Sequence, residues 1–393
     1  TFDSDRNLAE TNMNYTSHFT HILPVIALLL SMCSEPTPPG PVMPPVADTT
    51  THEYTWEYFL FGQSPVASSW FRDVYVESDD NIWMVGDVQI DTFVTSARGH
   101  ATQRVTAVHW DGKAFTAHAI DGMKLSGSIN TSEIYAVEGR SGSVYFMSGL
   151  SCIELRNDSF HVHDLRSLNG KWPADRRMDK FRSGRMFIYG GPGFAAELVQ
   201  DEPLGPVTFR QIPLDTELPV ATFAEAAADD YYLGLWWTKT AEHHFWRIHD
   251  GEIIPHVFSI TEQGSRDFCA ALWASDEYVY STSGPCMFRQ AIKDTTDRRF
   301  TFIMANEGEV KPLGMPFRMT GRADNDIFIA GDYGTVFHYN GSSFHLYKEV
   351  KDLIPTGRLY DVAVTRDKVY LVGRGDVNGL HGAVLFIGTR RQR

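Results

Sequence analysis

Residues 81–87 read NIWMVGD, and six further stretches of the chain repeat the same design. They are SVYFMSG from Ser143, RMFIYGG from Arg185, DYYLGLW from Asp230, EYVYSTSG from Glu277, DIFIAGD from Asp326 and KVYLVGR from Lys368. Each opens on a polar residue and runs through β-branched and aromatic side chains to a Gly. That composition and length fit a buried strand rather than a helix. The first apolar residues are Ile82, Val144, Met186, Tyr231, Val279, Ile327 and Val369, so the repeat is about forty to fifty residues long after a longer first interval. Before each copy an acidic residue opens another apolar strand. After it come a third strand, a turn and a fourth. Seven units of four short strands predict an all-β fold, a seven-bladed β-propeller of four-stranded antiparallel blades over residues 53–393. The last unit is one strand short, because the chain stops after GAVLFIGTR (382–390). The segment HEYTWEYFLFG (52–62) has no other partner, so this N-terminal strand is predicted to close the last blade and remove its open edge.

Two related stretches, VTAVHWDGKAF (105–115) and TVFHYNGSSF (335–344), mark the turn between third and fourth strands. Asp111-Gly112, Asp250-Gly251 and Asn340-Gly341 predict type I′ hairpins, whose two central residues need φ > 0. Aligned on these turns, His109 and His338 read as strand residues. Their counterparts are taken as Leu155 and Ile248, which are apolar, whereas a ligand role would ask for polar side chains there.

Ahead of the repeats, Met13 is the expected start of translation, and Ile22 to Met32 is an apolar run too short for a bilayer but suited to a signal-peptide core. It ends in Leu30-Ser31-Met32-Cys33, which resembles a bacterial lipobox and implies lipidation at Cys33. Ordinary secretion and a buried segment of the fold are the alternatives. Residues 1–33 are therefore assigned to export. Residues 34–52, with many prolines, form a semi-rigid tether. The 393-residue chain has a net charge of −14, which argues against a nucleic-acid surface. Cys269 and Cys286 fall in one repeat and suit a disulfide after export; buried thiols are the equal alternative, with Cys152 left over.

NIWMVGD, VTAVHWDGKAF and the lead-in DTTTHEYTWEYFLFG (48–62) resemble a group of uncharacterised bacterial secreted or lipid-anchored β-propellers. Their repeats read about as Asn-Ile-Trp-Ala-Val-Gly followed by His-Trp-Asp-Gly. The resemblance implies the fold and export, and it implies no catalytic residues.

Candidate chemistry centres on the starts of the first strands, where Asp73, Glu133, Asp179, Glu225, Asp267, Arg318 and Asp361 are expected at one mouth of the central channel. Crowded carboxylates there would raise one another's pKa or hold a cation such as Ca²⁺, and a pair beside Arg318 would suit acid–base work on a sugar. The plainer expectation is that each acid binds a backbone amide and pins strand to strand. The second candidate is the long loop of the first repeat (88–104), where Arg98, His100 and Arg104 form a basic cluster fit for an acidic ligand. Arg374-Gly375-Asp376 matches an adhesion tripeptide but falls where Gly86-Asp87 and Gly331-Asp332 end their strands. His161 with His163, His243-His244 with His249, and Trp236-Trp237 with Trp246 read as strand and core residues, and no metal or other cofactor is expected from them.

These readings point to a monomeric cell-envelope lipoprotein, in the outer membrane or otherwise periplasmic or secreted. Its non-enzymatic propeller would bind or scaffold a protein or glycan, touching membrane only through its anchor. The alternatives are a secreted carbohydrate-active hydrolase or lyase using the channel carboxylates, and a structural component of an envelope assembly machine.

Overall fold

The computed structural model describes residues 50–391 except 65–68, 93–100, 121–132, 166–167, 169–176, 203–204, 215–218, 228, 236–241, 260–269, 284–285, 294–300, 303–314 and the single positions 141, 150 and 192. Among the described residues, seven four-stranded antiparallel sheets follow one another around a ring. The first blade is Trp70–Ser78, Asn81–Thr92, Ala101–Trp110 and Phe115–His118. The seventh takes Arg358–Val364, Lys368–Val377 and Leu380–Arg390 from the C-terminal end and its outer strand, Tyr54–Ser64, from the N-terminal end. That closing strand pairs from Tyr54↔Arg390 to Ser64↔His381. All seven second strands lie where their repeats predict. No helix among the described residues is long and apolar enough to cross a membrane.

A four-stranded blade is too thin to have a core of its own, so it buries both faces against its neighbours. The apolar side chains accordingly form seven clusters, one at each junction between adjacent blades. At the closing junction Phe71, Met84 and Val108 of the first blade pack on Tyr370, Val372 and Leu385 of the seventh. A one-turn helix, Lys348–Leu353, links the sixth and seventh blades and adds Val350 to their shared cluster.

The turns correct one expectation. Asp250-Gly251 is the predicted pair with both φ positive, at 50° and 79°. At Asp111-Gly112 and Asn340-Gly341 only the glycines are positive, at 84° and 94°. These are longer loops in which the side chain closes the turn: Asp111 Oδ1 accepts from the amides of Lys113 and Ala114 at 2.9 and 2.8 Å, and Asn340 Oδ1 from Ser342 and Ser343 at 3.1 and 2.8 Å. The two residues after the Gly make room for the Asx closure, so the I′ geometry is not needed.

The histidines are strand residues, as predicted, but their counterparts are not Leu155 and Ile248. Register aligns His109 and His338 with Glu154, Glu197, Arg247 and Arg289, which are polar, and in the seventh blade with Ile387. Each sits opposite a buried aromatic residue, and in five blades it bonds the polar residue that opens the second strand. His109 bonds Asn81 at 2.8 Å beside Trp83, and His338 bonds Asp326 at 3.0 Å beside Phe328. Glu154 accepts from Ser143 at 2.8 Å, Arg185 forks onto Glu197 at 2.7 and 2.9 Å, and Arg247 forks onto Asp230 at 2.8 and 2.6 Å. A polar clamp over an aromatic ring therefore recurs in these blades, its chemistry changing while its geometry holds.

The clamp generates a prediction. Asp230→Ala leaves the Arg247 guanidinium buried and unpaired, and should cost about 3–5 kcal/mol in denaturant unfolding. Asp230→Leu combined with Arg247→Met should recover most of that loss.

Candidate functional site

Strand register, rather than sequence alignment, decides which first-strand residues meet at the channel. At one level it places Asp73, Ala136, Arg177, Thr222, Ala271, Arg318 and Asp361. The predicted near-complete carboxylate ring is thus two carboxylates, two arginines, a threonine and two alanines. Asp73, Arg318 and Asp361 are where they were expected. Glu133 is not: it lies three residues ahead of Ala136 and accepts from Trp70 Nε1 and Arg72 Nε, each at 3.1 Å. Glu225 is likewise displaced and pairs with Arg185 at 3.0 Å. Asp267, Arg98, His100, Cys33 and Cys269 lie outside the described residues. Arg104 falls on the third strand of the first blade, opposite Gln89, rather than in the loop.

A local device sets this level. In the first, fourth, sixth and seventh blades the register skips one residue immediately before the polar one, between Phe71/Asp73, Val220/Thr222, Pro316/Arg318 and Leu359/Asp361. Such a bulge re-aims the side chain that follows it. Three of these side chains then pin the next blade. Asp361 accepts from the Val74 amide at 3.0 Å, Asp73 from the Val137 amide at 2.8 Å, and Thr222 from the Leu272 amide at 3.1 Å. The strand-pinning expectation holds at these positions.

Arg318 does something different. Its Nε donates to Asp361 at 2.8 Å, and its guanidinium crosses the channel to both carboxylate oxygens of Asp179, with Nη1 also 3.0 Å from the Tyr189 hydroxyl. Tyr189 in turn donates to Asp179. In the reverse direction Arg177 reaches the Phe317 carbonyl at 3.5 Å. The third and sixth blades, which are not neighbours, are thereby tied through the middle of the ring.

Charge in this cluster is unevenly held. Burial and the Asp361 charge push the Asp73 carboxyl well above the usual range, so Asp73 carries the proton of the pair. Burial works the same way on Asp361, but Arg318 outweighs it and holds that carboxyl low. Burial and the Asp179 charge push Glu138 up to about 8 against the Lys180 amide and ammonium.

Beyond this cluster a cavity of about 310 Å³ fills one end of the channel, floored by Glu138, Asp179 and Arg318 and walled by Tyr75, Phe181 and Trp273. It opens where the first strands end. The face around it is therefore built from the first-to-second and third-to-fourth turns. Among the described residues these turns expose Asp79, Asp80, Asp229, Asp276, Glu277 and Asp367, and Asp111, Asp158, Asp201, Glu202 and Asp250. Exposed cations in the same turns are Lys113, Arg182, Lys293 and Arg366. Turn geometry does not demand the charge, since Asn340 closes its loop as Asp111 does.

Of the remaining candidates, Trp236 and Trp237 lie outside the described residues. Arg374-Gly375-Asp376 is the tail of a second strand, with Asp376 3.5 Å from His381. His163 bonds Glu154 at 3.2 Å and His249 lies 3.5 Å from Asp230. No three or more His, Cys, Asp or Glu side chains among the described residues converge to hold a metal ion. Cys152 is buried at the junction of the second and third blades. The clamps and Glu138 were missed by sequence reasoning, as was the bond between Arg318 and Asp179, although both of those residues had been placed at the channel; the signal for the clamps was the polar residue opening each second strand.

No protein-family model matches the chain, and no curated protein matches it. Solved structures do. A YCF48 structure bound to a D1 peptide superposes with a TM-score of 0.58 at 10% identity, over 86% of this chain and 97% of that one. YCF48 from Cyanidioschyzon merolae gives 0.53 at 11% identity, over 85% and 98%. The WD40 propeller domain of Doa1 gives 0.51 at 11% identity, over 86% and 98%. At such identities the likeness is one of fold: the chain is a seven-bladed β-propeller.

Two outcomes follow from the cluster. Arg318→Met strands Asp179 and Asp361 and should lower unfolding free energy by about 3–5 kcal/mol. Glu138 binds a proton in the folded state that the unfolded chain releases, so its contribution is full below about 4.5 and is lost as pH rises through about 8. Glu138→Gln should flatten that decline in a series of melting curves from pH 5 to 9.

Proposed function

We propose that the chain is an exported cell-envelope lipoprotein, anchored at Cys33, whose propeller binds a basic segment of a partner protein on the acidic turn face around the channel mouth. The observation that carries this reading is the excess of exposed carboxylates on that face, encircling an open cavity. Charge of one sign around a concave site steers and selects an oppositely charged partner. The enzyme reading finds less support: Asp361 and Asp179 are spent on Arg318, and Asp73 on a backbone amide. Solved propellers of the same fold include one bound to a peptide, in keeping with protein binding. The aromatic wall of Tyr75, Phe181 and Trp273 favours a glycan as the second reading, since sugars stack on such faces.

Calorimetric titration with a lysine- and arginine-rich peptide tests the surface. Binding should appear at 50 mM salt and weaken by about tenfold or more at 300 mM, as screening shortens the reach of exposed charge. Replacing Asp80, Asp111, Asp276 and Glu277 by their amides should abolish it without lowering the melting temperature. Absence of peptide binding beside a response to soluble envelope glycans would transfer the proposal to the glycan. The anchor has its own check: palmitate labelling in cells should vanish in Cys33→Ser.

A further inference from the structure

Glu53, which leads into the closing strand, is held by the seventh blade through the Arg391 amide at 3.0 Å, but residues 50–52 ahead of it turn away. They dock on the sixth blade. The Thr50 hydroxyl donates to the Asn325 carbonyl, and the Tyr347 hydroxyl donates to the His52 carbonyl at 3.1 Å. The His52 ring stacks on His345 with centroids 5.3 Å apart and meets His338 edge-on.

At the centre is a line of four polar groups. Ser343 Oγ is 3.0 Å from His52 Nε2, His52 Nδ1 is 2.9 Å from His338 Nδ1, and His338 Nε2 is 3.0 Å from Asp326 Oδ1. The protons in this line are fixed by chemistry. Asp326 is clasped by Arg322 at 3.1 Å and by Arg390, which is itself held by the Tyr54 hydroxyl at 3.0 Å, so it is an ionised acceptor. His338 Nε2 must then carry hydrogen. In the neutral ring His338 Nδ1 is bare and accepts from His52 Nδ1–H, leaving His52 Nε2 to accept from Ser343. One added proton is tolerated on His52 Nε2, because the Ser343 hydroxyl can turn to Asn340 Oδ1 at 3.1 Å. A second has no place except His338 Nδ1, where two N–H groups would point at each other across 2.9 Å.

We infer that the His52–His338 contact is a protonation-sensitive latch that holds the segment entering the closing strand on the sixth blade at neutral pH and frees residues 50–52 on acidification. The groups facing it are Ser343, Asn340 and His345 from the third-to-fourth hairpin, Asp326 and Arg322 from the first and second strands, Tyr54 and Arg390 from the seventh blade, and Tyr347 before the short helix, with Glu349 on it. Asp326, the carboxylate bonded to His338, is already matched by Arg322 and Arg390. Burial of His338, which is fully enclosed, disfavours its charged form as well, against the pull of Asp326. The strand from Tyr54 onward keeps its own backbone pairing, so release leaves the ring closed.

Imidazole and amide NMR of the full chain tests this. At pH 7.5 His338 should be the Nε2–H tautomer and His52 the Nδ1–H tautomer; the opposite assignment overturns the latch. Two freed histidines take up at least one proton more than the latched pair. Signals of a released His52 should therefore grow as pH falls, by up to about tenfold per pH unit, while amide signals of Tyr54–Ser64 stay put. His338→Gln keeps an acceptor and a donor but cannot titrate, so His52 should stay docked at pH 5. Release in that variant equal to wild type, or no release in wild type down to pH 5, overturns the proposal.

Discussion

The ring depends on one pairing, that of Tyr54–Ser64 with Leu380–Arg390. A blade covers its apolar faces only with other blades, so an open array would leave two faces and a long edge strand in water. Joining the two ends of the chain in one sheet satisfies the last edge and presses the first blade onto the seventh, burying Phe71 against Tyr370 and Leu385. Every other junction repeats this packing, and here Phe71 and Leu385, more than 300 positions apart, supply it. The closing strand is long and continuous, which suits a seam that must hold without covalent help.

Polar interactions then act at two radii. Toward the outside of the blades, the clamps over Trp83, Tyr145, Phe187, Tyr232 and Phe328 hold second and third strands together where the blade is fully buried. At the axis, bulged first strands aim Asp73, Thr222 and Asp361 at the amides of the next blade, while Arg318 spans the channel to Asp179. Removing one partner of such a group costs far more than the pair contributes, because the survivor is left buried and charged. The same interactions close the channel below the cavity, so a ligand entering from the turn face meets a polar floor whose hydrogen bonds are largely taken. Thr50 and His52 dock at the Asn325 and Ser343 turns, on the same side of the propeller as the acidic turns.

Much of this was legible in the sequence. NIWMVGD and its six relatives named the buried strands, and HEYTWEYFLFG could be matched to the blade lacking a strand. A period of two and a Gly stop are local properties, fixed by which side chains suit a pleated, buried surface. His109 and His338 could likewise be read as fold rather than site. Their polar counterparts could not, because aligning by turns slipped the comparison by one residue, and in a strand one residue changes the face.

The sequence by itself determined the number of blades, their strand order and the closure, because each rests on a repeated local pattern. Only the tertiary structure decided which carboxylates meet. Glu133 and Glu225 sit near the right places in their repeats, yet register sets each three residues from the level of Asp73 and Asp361, while Asp179 stands two residues past its own level and meets Arg318. Arg318 reaches Asp179 from a blade that is a neighbour neither in sequence nor around the ring. The charge on the turn face is also a tertiary fact, since it sums carboxylates from hairpins scattered along the whole chain. Contacts of this kind are set by where the closed ring brings distant strands, and no local pattern encodes that distance.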